Sequence, residues 1–171
     1  MLKSNLVKLS KNPKLVEAAA KVIATKAAYK AVKERVDAYV APIFASMKDS
    51  FPLGKYAKGP IESPKEIFLA DLNSPEVKAY WDALQVAHKE NGFNVPEGYC
   101  PALCAEHEHL EAKWDICDVA YSLCNELPTR DQATGTVERC DKYVETLVGL
   151  LLAGPKGSEV QKLSKKLVLS A

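Results

Sequence analysis

The residue types able to do chemistry crowd into one stretch, Gly98-Tyr99-Cys100-Pro101-Ala102-Leu103-Cys104-Ala105-Glu106-His107-Glu108-His109-Leu110-Glu111, which holds two of the three histidines and two of the five cysteines. On a helix His107 and Glu111 stand one turn apart with Glu108 between them, the spacing of paired ligands in a helical zinc motif. Such a motif has a second histidine where this chain has Glu111, and no compact second cluster finishes the coordination. Glu106-x-x-His109 matches half of the helical di-iron pattern, which needs the motif twice with further glutamates on facing helices. Cys100-x3-Cys104 with His107 begins a structural zinc site, yet His88 and Cys140 are far from it along the chain. The candidate metal ligands are therefore His107, Glu108, Glu111 and Cys104, and the expectation is no resident cofactor.

Nucleophilic catalysis needs a thiolate with a base and an orienting group, and sequence does not place His88 beside Cys100 or Cys104. Gly54-Lys55 and Gly157-Ser158 lack the flanking pattern of a phosphate-binding loop. No residue is assigned a catalytic role.

The helix that must carry this stretch is predicted from Pro101 to about Glu126. Leu103, His107, Leu110, Trp114, Cys117, Tyr121 and Cys124 follow at steps of three and four, which predicts a core stripe with Cys117 and Cys124 as small buried hydrophobes. The neighbouring stripe reads Cys100, Cys104, Glu108, Glu111, Asp115, Asp118. Its four acids repel one another by a few tenths of a kcal/mol per pair, roughly, on an isolated helix, so it calls for solvent, cations or a positive partner. Lys26, Lys30 and Lys33 share that spacing on an earlier helix. These lysines with Glu108, Glu111, Asp115 and Asp118 are the candidate binding residues.

Charge is segregated along the chain. Net charge is +1, but residues 1–36 hold eight lysines and Arg35 against Glu17 and Glu34, a net of +7, while residues 60–126 hold thirteen acids against four lysines, a net of −9. A net near zero argues against a dedicated nucleic-acid binder. That class rests on Lys14, Lys21, Lys26, Lys30 and Lys33 alone, which are spread around a helix and interleaved with alanine.

The remaining punctuation is helical throughout, with Ser or Thr before, and Gly or Pro after, periodic apolar runs and no alternating strand pattern. The fold expected is all-α, a single-domain bundle of about six helices. A short helix is predicted over Lys3 to Ser10, then a long one from Pro13 to about Val40 that Pro42 kinks or ends. Along it Leu15, Val22, Tyr29, Val36 and Ile43 recur every seven residues, with Ala18, Thr25, Val32 and Tyr39 between. This seam belongs to a bundle helix or to a homodimer, on a rod of about 40 Å. Residues 50–64 carry three prolines and two glycines and are read as a loop between a basic arm, 1–50, and a helical body, 65–171. Ser63-Pro64 opens a helix through Ala70. Ser74-Pro75-Glu76 opens another to Glu90, with Val77, Tyr80, Trp81, Leu84 and Ala87 buried. After the Leu127 to Gly135 turn, helices follow from Thr136 to Ala153 and from a Ser158 cap, the last with Val160, Leu163 and Leu167 along one side.

With 171 residues, 47% of them hydrophobic, the chain can bury roughly 70% of its unfolded surface. The Met1 to Lys8 segment lacks a secretory signal pattern, and Leu147 to Ala153 is too short to span a bilayer. Five cysteines, three within one predicted helix, read as reduced thiols. These features predict a cytoplasmic protein with no membrane contact.

Asp71-Leu72-Asn73-Ser74-Pro75-Glu76-Val77-Lys78-Ala79-Tyr80-Trp81-Asp82-Ala83-Leu84, with Gly98-Tyr99-Cys100-Pro101-Ala102-Leu103 and Ala105-Glu106-His107, resembles a family of small helical proteins of tailed phages and prophages. The resemblance covers roughly residues 60–120, and its motifs are tied to no known reaction. It implies an accessory protein acting through protein contacts in a bacterial cytoplasm, and it carries over no catalytic residue.

Overall fold

The computed structural model describes residues 11–96, 99–124 and 137–170, with side chains at 11–96, 99–123 and 141–169. Its fold is all-α. The described elements are α1 (Pro13–Met47), 3-10 turns at Lys48–Ser50 and Pro64–Leu69, α2 (Pro75–Glu90), α3 (Pro101–Cys124), α4 (Val137–Ala153) and α5 (Gly157–Ser170). The predicted helix over Lys3 to Ser10 and the turn from Leu127 to Gly135 lie outside the described residues.

Pro13 opens α1, where a missing N–H costs nothing, and Asn12 Oδ1 accepts from the Lys14 amide at 2.9 Å. The helix does not end near Val40: it runs through Pro42 to Met47. Proline removes the bond to the Ala38 carbonyl, but Ala38 and Pro42 are both exposed, so water can serve that oxygen. Past the proline, Ile43, Phe44 and Met47 all pack into a core, which holds the last turn helical.

The chain packs as two compact units, residues 1–29 with 105–171, and residues 30–104. This division differs from an arm over 1–50, a loop and a body over 65–171, because each half of α1 belongs to a different unit. In the first unit Leu15, Val16, Ala19, Ala20 and Val22 of α1 join Ala112, Ile116 and Ala120 of α3, Val144, Leu147 and Leu151 of α4, and Val160 of α5. The seam residues Leu15 and Val22 are thus covered by the chain's own helices.

In the second unit Phe44 packs with Phe51, Ile61, Ile67, Ala70, Val77, Tyr80 and Leu84. The rings of Phe51 and Tyr80 meet edge to face at 5.4 Å, an arrangement that aromatic quadrupoles favour. The proline-rich segment therefore supplies core residues here. At Gly54 a Cβ would run into the Leu69 carbonyl oxygen, so two backbone segments touch where only glycine fits. Val36, another seam residue, is also buried in this chain.

Helix α2 begins as predicted: Ser74 Oγ accepts from the Val77 amide at 3.2 Å, and Pro75 stands in the first turn. It ends at Glu90, followed by Gly92 at φ 75°, the left-handed conformation glycine takes without strain. Its buried side is Val77, Tyr80, Leu84 and His88. Trp81 and Ala87, expected there, are exposed and half-buried, since a stripe continuing at steps of three and four from Leu84 reaches residue 88. Helix α5 starts at Gly157 and not after Ser158, because backbone Leu152 crowds position 157 too closely for any Cβ. Leu167, on the same side of α5 as Val160 and Leu163, is 42% exposed.

Candidate functional site

Helix α3 is set by its first turn: the Cys100 carbonyl accepts from the Leu103 and Cys104 amides at 3.0 and 3.1 Å, and Pro101 at the first position has no amide left over. The face it presents to the core corrects the expected stripe. Ala112, Ile116 and Ala120 are fully buried, whereas Trp114 is 57% and Tyr121 43% exposed. His107 and, in the other unit, Leu103 are exposed too, and Leu110 and Cys117 are half-buried. Cys124's side chain lies outside the described ones.

Ala18, Ala19 and Ala20 of α1 share this core. Helix α3 turns its own small residues Ala112 and Ala120 inward with Ile116, and Trp114 and Tyr121 face outward. His107, Leu110, Trp114, Cys117 and Tyr121 then form a stripe along the helix, spaced three, four, three and four residues apart, with Cys117 packed against the core and Trp114 and Tyr121 exposed.

Acids border this stripe. Asp115 takes Lys21 at 2.7 Å, and Glu111 lies 3.3 Å from His107 Nε2. Glu108 and Asp118 have no ion-pair partner among the described residues. The lysines expected to meet the acid stripe are engaged elsewhere: Lys26 with Glu145, and Lys30 and Lys33 with Glu34 and Asp37 one turn along their own helix. Lys21, the fourth lysine, supplies the contact instead. These exposed pairs account for much of the basic run that suggested nucleic acid, and each contributes about 0–1 kcal/mol.

The candidate metal ligands do not assemble. His107 and Glu111 are 73% and 59% exposed, Cys104 is half-buried and belongs to the other unit, and no group of three or more His, Cys, Asp or Glu side chains gathers among the described residues. His109, the neighbour counted toward a di-iron half-motif, points to Thr25 instead, with Nδ1 3.0 Å from Oγ1. The same hydroxyl lies 2.9 Å from the Lys21 carbonyl, and the tautomer of His109 sets which partner donates across the Nδ1–Oγ1 contact. Burial lowers the pKa of His109, Lys113 and Lys26 lower it further, and Asp141 opposes them. Lys113 is itself held by Asp141 at 2.7 Å.

The second unit carries a polar cluster that motif searching passes over. His88 is 5% exposed, and neither ring nitrogen has a hydrogen-bond partner; nor does the buried Tyr39 hydroxyl. The two rings meet edge to face at 5.4 Å. Burial lowers the His88 pKa. Burial, then the Cys100 thiol, pushes Tyr39 up to about 12 against the opposing Arg35, and the same two causes push Tyr80 up to about 12. Arg35 in turn stacks on Phe93 at 4.6 Å and donates to the Asn91 carbonyl at 3.3 Å. The legible signal for His88 is its position four residues after Leu84 on the stripe of α2.

Cys100 and Cys104 are free thiols. No described helix is long and apolar enough to cross a membrane. No family model, curated protein or solved structure matches the chain.

Proposed function

We propose that the chain is a non-enzymatic accessory protein that works through protein–protein contacts, in the bacterial setting that its resemblance to phage and prophage proteins implies. The observation that carries this reading is the outward stripe of α3. A tryptophan 57% exposed beside a tyrosine 43% exposed, on one helical face with Leu110, offers the anchor types that dominate binding energy at protein interfaces. A contiguous apolar face of this kind marks an interaction surface more often than a scattered exposed leucine does.

Site-specific photo-crosslinking in the bacterial cytoplasm tests it. A benzoylphenylalanine at position 107 or 121 should give one discrete adduct to another protein, and the same group at the exposed position 162 of α5 should not. Adducts alike from all three positions, or none, would remove the basis for the reading. Trp114→Ala with Tyr121→Ala should abolish the adduct formed from position 107 while leaving the far-ultraviolet circular dichroism unchanged.

A further inference from the structure

We infer that the partner segment seated on α3 is a basic amphipathic helix, with an apolar stripe flanked by lysine or arginine. The inference rests on the reading of this face as an interaction surface and adds the chemistry of its occupant.

Charge complementarity carries it. Along one border of the stripe stand Glu108, Glu111, Asp115 and Asp118, and Glu106 lies beside its first turn. Only Asp115 is neutralised by a lysine, Lys21 at 2.7 Å. Glu111 meets His107, which offsets charge only when protonated. Along the other border Lys113 is 14% exposed and already paired with Asp141. The rim of the aromatic stripe is therefore acidic over its length, with Glu108 and Asp118 having no ion-pair partner among the described residues. An acidic or neutral helix laid there would bury its apolar side against a repulsive rim, whereas lysines or arginines beside its apolar stripe would meet these carboxylates.

Geometry sets the length. From His107 to Tyr121 the stripe covers about 21 Å at 1.5 Å per residue, four turns, which an occupant of about 14–18 residues matches. The spacing of three, four, three and four is that of a helix-on-helix seam, in which a partner contributes apolar residues at i, i+3, i+4 and i+7.

Two synthetic 18-residue helices with one leucine stripe, flanked by lysines in one and by glutamates in the other, test this against the whole chain by fluorescence anisotropy. The lysine peptide should bind about tenfold tighter at low salt, with the difference shrinking as salt rises. Glu108→Gln, Glu111→Gln and Asp118→Asn together should remove most of that preference. Trp114→Ala with Tyr121→Ala should remove binding of both peptides.

Equal binding of the two peptides, or a preference that the triple variant keeps, overturns the charge inference and leaves the interaction reading standing. Crosslinked adducts from positions 107 and 121 in cells together with no binding of either peptide overturn the basic-helix occupant alone. No adduct and no peptide binding overturn both. A wild-type chain running at twice 18.7 kDa and split to monomer by Trp114→Ala would assign the face to a second copy, and so against a basic partner.

Discussion

Replacing His88 with leucine should stabilise the second unit. The histidine is 5% exposed with both ring nitrogens lacking hydrogen-bond partners. A buried polar atom left unpaired costs roughly 1–3 kcal/mol, so two cost about 2–6 kcal/mol. Leucine is close in volume, so the substitution leaves little cavity in the last turn of α2. Against this stands the edge-to-face contact with Tyr39 at 5.4 Å, worth about 0.5–1.5 kcal/mol. The net expectation is a gain of about 1–5 kcal/mol at neutral pH.

Acid widens the difference. Burial lowers the His88 pKa from its usual 6.5, so below about pH 6.5 the unfolded chain takes up a proton that the native state resists. The histidine's contribution to stability is undiminished above that pH and is lost as the pH falls toward the depressed native value. Leucine removes this loss. Urea titrations between pH 7.5 and 5 measure both effects, read through Trp81 in a Trp114→Phe background so that the fluorescence reports the second unit alone. A variant more than about 1 kcal/mol less stable than its parent would show that the two nitrogens are satisfied in solution. An unchanged dependence on pH below 6.5 would refute the assignment of the proton.

Val22→Asp should unfold the first unit, since Val22 is 6% exposed in a closed core and a buried unpaired carboxylate adds several kcal/mol to the roughly 1.5–3 kcal/mol of lost burial; loss of helical circular dichroism checks this, whereas soluble folded monomer would return the seam to a dimer interface. Ser74→Ala should cost about 1 kcal/mol by removing the cap on the Val77 amide, measured as a lowered urea midpoint with an unchanged slope. The first unit should also lose stability below pH 6.5, because burial and then Lys113 and Lys26 depress His109; in the absence of Trp81, Trp114 fluorescence follows it, and His109→Gln should flatten the dependence. Elemental analysis of purified protein should find only substoichiometric transition metal, and a full equivalent lost on His107→Ala would revive the metal reading.

Helix boundaries were legible wherever local chemistry decides them. Pro13, Ser74-Pro75 and Pro101 each open a helix because a missing amide or a side-chain oxygen relieves the orphan donors of a first turn. Pro42 misled because its cost is local, while the burial of Ile43, Phe44 and Met47 that overrides it is tertiary. The gathering of chemical residue types at Cys100 to Glu111 was legible as composition. What the pattern did not contain was rotation: two adjacent stripes on α3 had helical spacing, and hydrophobicity favoured the one with Trp114 and Tyr121.

The stripe of α3 that enters the core is the one with Ala112, Ile116 and Ala120, in a cluster that also holds Ala18, Ala19 and Ala20 of α1, while the stripe with Trp114 and Tyr121 is the exposed one. Apolar periodicity along α3 alone takes the exposed stripe for core. A solvated helix face is ordinarily carried by charged residues, and here Trp114 and Tyr121 are 57% and 43% exposed. The same logic ties the acids to the aromatics. Glu108 and Asp118 sit beside that stripe without an ion-pair partner among the described residues, so exposed rings and carboxylates lie on one side of one helix, the arrangement on which the proposed basic partner helix rests.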